Sequence, residues 1–145
     1  MKNYNFAFLN FIVKNKVLYI GIVFGLLLPS SIIAQNAGNR IIPKSADTIT
    51  NPYAKDPSKA AEGARVYKFV CWTCHGDRGN GKGPQAAELE NKPADFNETL
   101  VVGRTDGALF WWISHGGTDM QAFENSLTVE ERWSIVAYIR RLQRK

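Results

Sequence analysis

The sequence predicts an all-α fold. Three segments carry helix-start signals or helical apolar spacing, no run alternates in the manner of a strand, and a long glycine- and proline-rich loop follows the first helix. Asp56-Pro57 is an N-cap followed by a proline at the first helical position, so a helix opens there and runs to about Val70. On it Ala60, Ala64, Tyr67 and Cys71 recur at helical spacing. Thr105-Asp106 opens a second helix through Leu109, Trp111, Trp112 and Ile113, and Gly116-Gly117 stops it. Thr128-Val129-Glu130-Glu131 has the form of a capping box and starts a third helix through Trp133, Ile135, Val136, Tyr138, Ile139 and Leu142. The arginines near its end complement the helix dipole. Gly76, Gly79, Gly81, Gly83, Pro84 and Pro93 fall in the loop between the first two helices. A loop of that length is unusual in a small domain unless something orders it.

The 145 residues suit one domain and leave no room for repeats. The net charge of +5 and pI near 9.3 raise the question of nucleic-acid binding, which depends on where the charge lies. Three lysines precede residue 17, and four basic residues fall within the last six. From residue 35 onward there are 15 basic residues against 13 acidic. The middle of the chain is no basic patch, and nucleic acid is not an expected partner.

Residues 1–16 carry only positive charge, and an unbroken apolar run from Val17 to Leu28 follows. Small and polar residues come next, with Ala34 and Ala37 as candidate cleavage positions. This is the order of a signal peptide, so residues 1–34 are expected to be a signal peptide or, if retained, an N-terminal membrane anchor. Either way the domain is expected outside the cytoplasm, in the periplasm, with membrane contact only through an uncleaved N-terminus. Residues 35–56 are rich in Gln, Asn, Ser, Thr and Pro with no apolar period, a linker composition. Residues 57–145 remain for the fold. A domain so small is marginal without a staple or cofactor, and a bound apolar group would supply the missing core.

Cys71-Trp72-Thr73-Cys74-His75 is a Cys-x-x-Cys-His sequence, the attachment signature of c-type haem. Two thiols three residues apart reach the two vinyl groups on one edge of the porphyrin, and the adjacent His lies under the ring to ligate iron. The competing readings are weaker. A thioredoxin-like pair needs a strand before it and a βαβ context, whereas a helix precedes this motif. A zinc site needs four ligands, which Cys71, Cys74, His75 and His115 could only just provide. The expected cofactor is therefore one haem c, covalent through Cys71 and Cys74, with its iron.

The sixth ligand follows by elimination. Met120 is the only methionine after the initiator, and it sits in a loop after the second helix. A thioether favours reduced iron. His115 is the competing ligand. The expected metal ligands are thus His75 and Met120. A phosphate-loop reading of Gly76 to Gly83 fails, because Gly83 stands where a Ser or Thr must bind magnesium and the loop follows no strand.

Over about residues 58–145 the sequence resembles a class I c-type cytochrome of the bacterial monohaem kind. Gly63-Ala64-Arg65-Val66-Tyr67 matches the family's first helix and Ser134-Ile135-Val136-Ala137-Tyr138-Ile139 its last, with Gly63 permitting their close crossing. Gly83-Pro84 looks like the family's Gly-Pro, whose proline carbonyl accepts the Nδ1–H of the ligand His. Met120-Gln121-Ala122-Phe123 resembles Met-Pro-x-Phe, with Gln121 departing at the proline. Lys92-Pro93-Ala94-Asp95-Phe96 and the helix from Asp106 look like bacterial extracytoplasmic members. The resemblance implies a cytochrome c-like fold of three main helices wrapped around one covalently bound haem. It offers Trp111, Trp112 and Arg104 as propionate partners, against plain roles as core aromatics and a solvated arginine. It implies an electron carrier rather than an enzyme, serving redox partner proteins such as a dehydrogenase, a respiratory complex or a terminal oxidase. A ligand-binding or peroxidase-like haem protein, which needs an open sixth position, a cytochrome subunit fixed within such a complex, and a haem-free thiol protein are the alternatives.

Overall fold

The computed structural model describes residues 41–143. The expected signal or anchor segment, residues 35–40 of the expected linker, and the last two basic residues lie outside the described residues.

The first helix, α1, is Pro57–Val70, and the Asp56 carboxylate caps it by accepting from the amides of Ser58 and Lys59. Its buried positions are Ala60, Gly63 and Tyr67, with Cys71 continuing the stripe at its C-cap. Gly63 takes the buried place the spacing had given to Ala64. A short helix, α2 (Trp72–His75), follows with Cys71 shared as the cap between the two. The long loop then holds a single 3-10 turn, Ala86–Glu88, and a four-residue helix α3, Thr99–Val102. Helix α4 is Asp106–His115, capped by the Thr105 hydroxyl. Helix α5 is Val129–Leu142, and its Thr128–Glu131 capping box is complete in both directions. The fold is all-α, and among the described residues the only strand-like pairing is one bridge between Asn80 and Asp95.

The core forms where α1 crosses α5. Tyr67, Cys71, Phe96, Ile113, Phe123, Trp133, Ile135, Val136, Ile139 and Leu142 make one cluster. Burying each aliphatic side chain of that face contributes about 1.5–3 kcal/mol before chain entropy is counted. A Cβ on Gly63 would fall 1.9 Å from the backbone oxygen of Ser134, so only glycine permits the observed approach. The Tyr67 hydroxyl is satisfied inside the core by donating to Gly76 O at 2.6 Å, which ties α1 to the end of α2.

The expected linker is not a free tether over its described part. Lys44–Thr48 is a 3-10 helix whose Ala46 is buried beneath α4. Asn51, also buried, donates to Asp106 Oδ2 at 2.9 Å, and the Thr105 hydroxyl donates to Asp47 at 2.8 Å. The polar composition that reads as linker is used here for hydrogen bonds to the start of α4. Arg140 Nε donates to the other oxygen of Asp106 at 2.7 Å, so the end of α5 is fastened to the same carboxylate. Among the described residues no helix is long and apolar enough to cross a membrane.

Candidate haem site

The site begins at the end of α1. Cys71 closes that helix through its amide to Tyr67 O at 2.9 Å, and its own carbonyl accepts from Cys74 N at 3.2 Å and His75 N at 2.9 Å. One helical turn therefore presents Cys71, Cys74 and His75 together. Neither cysteine is in a disulfide. Burial, aided by the neighbouring Cys74, pushes the Cys71 thiol up to about 12. A dithiol exchange centre needs a nucleophile with a depressed pKa, so this environment argues against the haem-free redox reading. Among the described residues no three His, Cys, Asp or Glu side chains converge as a metal-binding group, so the four-ligand zinc set does not assemble.

His75 is held at one face and at its Nδ1 edge by the returning arm of the long loop. Phe96 stacks on its ring at 4.8 Å between centroids. Its Nδ1 lies 3.2 Å from Ala94 O, and since a carbonyl only accepts, Nδ1 carries the proton and Nε2 keeps the lone pair that a metal would take. Burial lowers the pKa of His75, with the Ala94 bond opposing, so the neutral ligand form is favoured.

The partner of Nδ1 in this structure is thus Ala94 O, whereas the resemblance offers the Pro84 carbonyl. The Gly83–Gln85 segment is used elsewhere: Gly83 N donates to Cys74 O at 3.0 Å and Gln85 N to Thr73 O at 2.9 Å, capping carbonyls of α2. Pro84 itself is exposed beside that helix. The arm over His75 is Lys92–Phe96, pinned by Phe96 N to Gly79 O at 2.7 Å and by the Asn80–Asp95 bridge. The residue types of this stretch give it no role at the ligand, because the contact is made by a backbone carbonyl.

Met120 lies in a loop that leaves and rejoins α4 at nearly the same turn. Gly116 ends α4 at φ 69°, a conformation that favours glycine, and a Cβ there would meet Met120 O at 2.3 Å. Gly117 N donates to Met120 O at 2.8 Å and closes the turn. The chain is brought back by Phe123, buried in the core, whose amide reaches the carbonyls of Ile113 and Ser114 at 3.1 Å. Met120 is half-buried and packs against the core cluster. His115, the rival ligand, has its Nδ1 on Trp111 O at 2.8 Å and its Nε2 3.8 Å from Glu124, so both nitrogens already face partners. Of the suggested propionate partners, Trp111 and Trp112 are half-buried and Arg104 is exposed.

The profile of the family described as cytochrome c oxidase, cbb3-type, subunit III matches residues 58–139. The chain belongs to this family, and its domain is a class I monohaem cytochrome c domain that carries covalently attached haem c with its iron. A solved chain of the Kuenenia stuttgartiensis reducing HAO-like protein complex is similar, with 30% identity and a TM-score of 0.56. That match covers 65% of this chain and 49% of the other, so this chain spans about half the length of that relative. No curated protein matches. The family assigns haem-based electron transfer to the domain.

The residues present fit the cofactor. Two thiols and an imidazole with Nε2 available lie on one helical turn, and Met120, on the loop after α4, packs against the core cluster that contains Cys71.

Proposed function

We propose that this chain is a periplasmic electron-transfer protein that shuttles single electrons between a dehydrogenase or respiratory complex and an acceptor. Cys71 and Cys74 would hold the haem through thioether bonds to its two vinyl groups. His75 Nε2 and Met120 Sδ would ligate its iron. The haem supplies reversible exchange between Fe(III) and Fe(II). The protein's part is to fix the ligands and keep the pocket dry. Ala94 O orients His75 and strengthens it as a ligand by accepting its Nδ1–H. The observation that carries the reading is this imidazole, stacked on Phe96 and hydrogen-bonded so that its free nitrogen is the one a metal needs.

A second reading, a cytochrome fixed within an oxidoreductase complex, is favoured by the family match to an oxidase subunit and by a similar chain that is itself part of a complex. The same haem chemistry serves both.

The test is the absorption spectrum of the holoprotein made in cells competent for c-type maturation. The wild type is expected to be low-spin in both oxidation states and not to bind CO when reduced. Met120→Ala is expected to turn high-spin, bind CO and lose the potential-raising thioether. CO binding by the reduced wild type would refute the closed site. The mass of the mature protein checks export: haem present and residues 1–34 absent means a released carrier, and retention means an anchored one.

A further inference from the structure

In Met120-Gln121-Ala122-Phe123, glutamine stands where the resembled motif has proline. A proline there would fix φ and stiffen the loop next to the ligand. This chain has another constraint at the adjoining residue. Asp119 Oδ2 accepts two hydrogen bonds from Asn91, one from its backbone N–H and one from its side-chain amide, both 2.8 Å. Asn91 lies 28 positions earlier, immediately before the arm of the long loop that offers Ala94 O to His75.

We propose that Asn91 and Asp119 form a clamp that positions the Met120 thioether and so sets how readily the sixth ligand leaves iron. The proposal rests on Met120 being that ligand. The Gly117–Met120 turn fixes the backbone at one side of the methionine. The clamp fixes the residue immediately before it, and it does so against the segment that orients the opposite ligand. One contact thereby couples the two ligand-bearing loops. Its two donors converge on a single carboxylate oxygen, which holds position better than one bond could. Both residues are exposed, so each bond contributes modestly.

The test is imidazole titration of the ferric holoprotein, followed by the change in its absorption spectrum. Imidazole competes with the thioether, so its apparent affinity reports how easily Met120 is displaced. Asn91→Ala keeps its backbone donor and is expected to tighten apparent imidazole binding about threefold. Asp119→Ala loses both bonds and is expected to tighten it about tenfold. The double variant should match Asp119→Ala alone, because the partners share one interaction. Asp119→Asn, which keeps an acceptor oxygen, should return most of the effect. Wild-type imidazole affinity in Asp119→Ala would overturn the clamp, as would an Asn91→Ala increment that persists without Asp119. A merely structural role would lower the unfolding midpoint of Asp119→Ala and leave imidazole affinity unchanged, which also overturns it. Met120→Ala is the separate control. If it leaves the spectrum unchanged, the ligand assignment fails and the clamp with it. If it gives a high-spin protein while Asp119→Ala is silent, the clamp alone fails.

Discussion

Gly63→Ala tests the helix crossing on which the fold depends. The new Cβ would lie 1.9 Å from Ser134 O, 2.4 Å from Ser134 C and 2.9 Å from Ile135 N. All three are backbone atoms, so no side-chain rotation relieves the clash. Ordinary contact begins near 3.4 Å, so α1 and α5 must part by about 1.5 Å at this point. A gap of 0.5–1 Å already forfeits roughly a quarter to a half of the dispersion well between facing atoms. The atoms that lose contact belong to Tyr67, Ile135 and Val136, among the most buried in the chain. Overpacking of this kind costs about 1–3 kcal/mol, and a backbone clash belongs at the upper end. Alanine in place of a mid-helix glycine returns about 1 kcal/mol of propensity. The net expectation is a loss of about 2 kcal/mol, a large share of a small domain's stability. The assay is urea unfolding of the holoprotein, read as a fall in midpoint at constant slope. Ala61→Gly, at an exposed position of α1, calibrates the propensity term at about 1 kcal/mol. Adding Ser134→Ala should change Gly63→Ala only by the increment it gives in the wild type, since the Ser134 side chain is not what clashes. An unchanged or raised midpoint in Gly63→Ala would refute the reasoning.

Two further outcomes follow from the same frame. The Ser134 hydroxyl is fully buried and has no hydrogen-bond partner among the described residues, so Ser134→Ala should raise stability by about 1 kcal/mol in the same unfolding assay. Asp56 is held below 3.8 chiefly by hydrogen bonds from the Ser58 hydroxyl and amide, opposed by slight burial and aided by Lys59. A depressed folded-state pKa means that its contribution is complete above 3.8 and is lost as pH falls through the folded value. Asp56→Asn, itself a good cap, should leave neutral-pH stability nearly unchanged and flatten the acid limb of thermal melts taken between pH 7 and pH 3.

The helices were legible in the sequence because their ends are written in side chains. Asp56-Pro57, Thr105 and the Thr128–Glu131 box each cap a helix where the residue types say they should, and Gly116 ends α4. The packing of residues 44–53 was hidden, because Ala46 and Asn51 acquire meaning only when α4 is brought beside them. The same limit applies to the partner of His75. The partner of His75 Nδ1 is a backbone carbonyl, which every residue has, so residue type cannot say which one arrives. That choice is made by Phe96 N on Gly79 O and the Asn80–Asp95 bridge, contacts between segments about fifteen residues apart. Cys71, Cys74 and His75 were readable for the opposite reason: their grouping needs only one helical turn.

The molecule thus separates into a frame and two suspended loops, and the separation has consequences. The frame is the α1–α5 crossing with its apolar cluster, whose cohesion comes from burial. The loops over His75 and around Met120 each place one phenylalanine, Phe96 or Phe123, in that cluster, and are otherwise held by a few backbone hydrogen bonds of about 1 kcal/mol each. Substitutions in the frame should therefore shift unfolding midpoints while leaving the haem spectrum unchanged. Substitutions in the loops should alter ligand exchange at iron while barely shifting the midpoint. Gly63→Ala and Asp119→Ala are the two ends of that scale. Measuring both properties on both variants asks whether stability and ligation are set independently. If Gly63→Ala loosened the sixth ligand as much as Asp119→Ala does, the loops would be extensions of the core rather than parts hung from it.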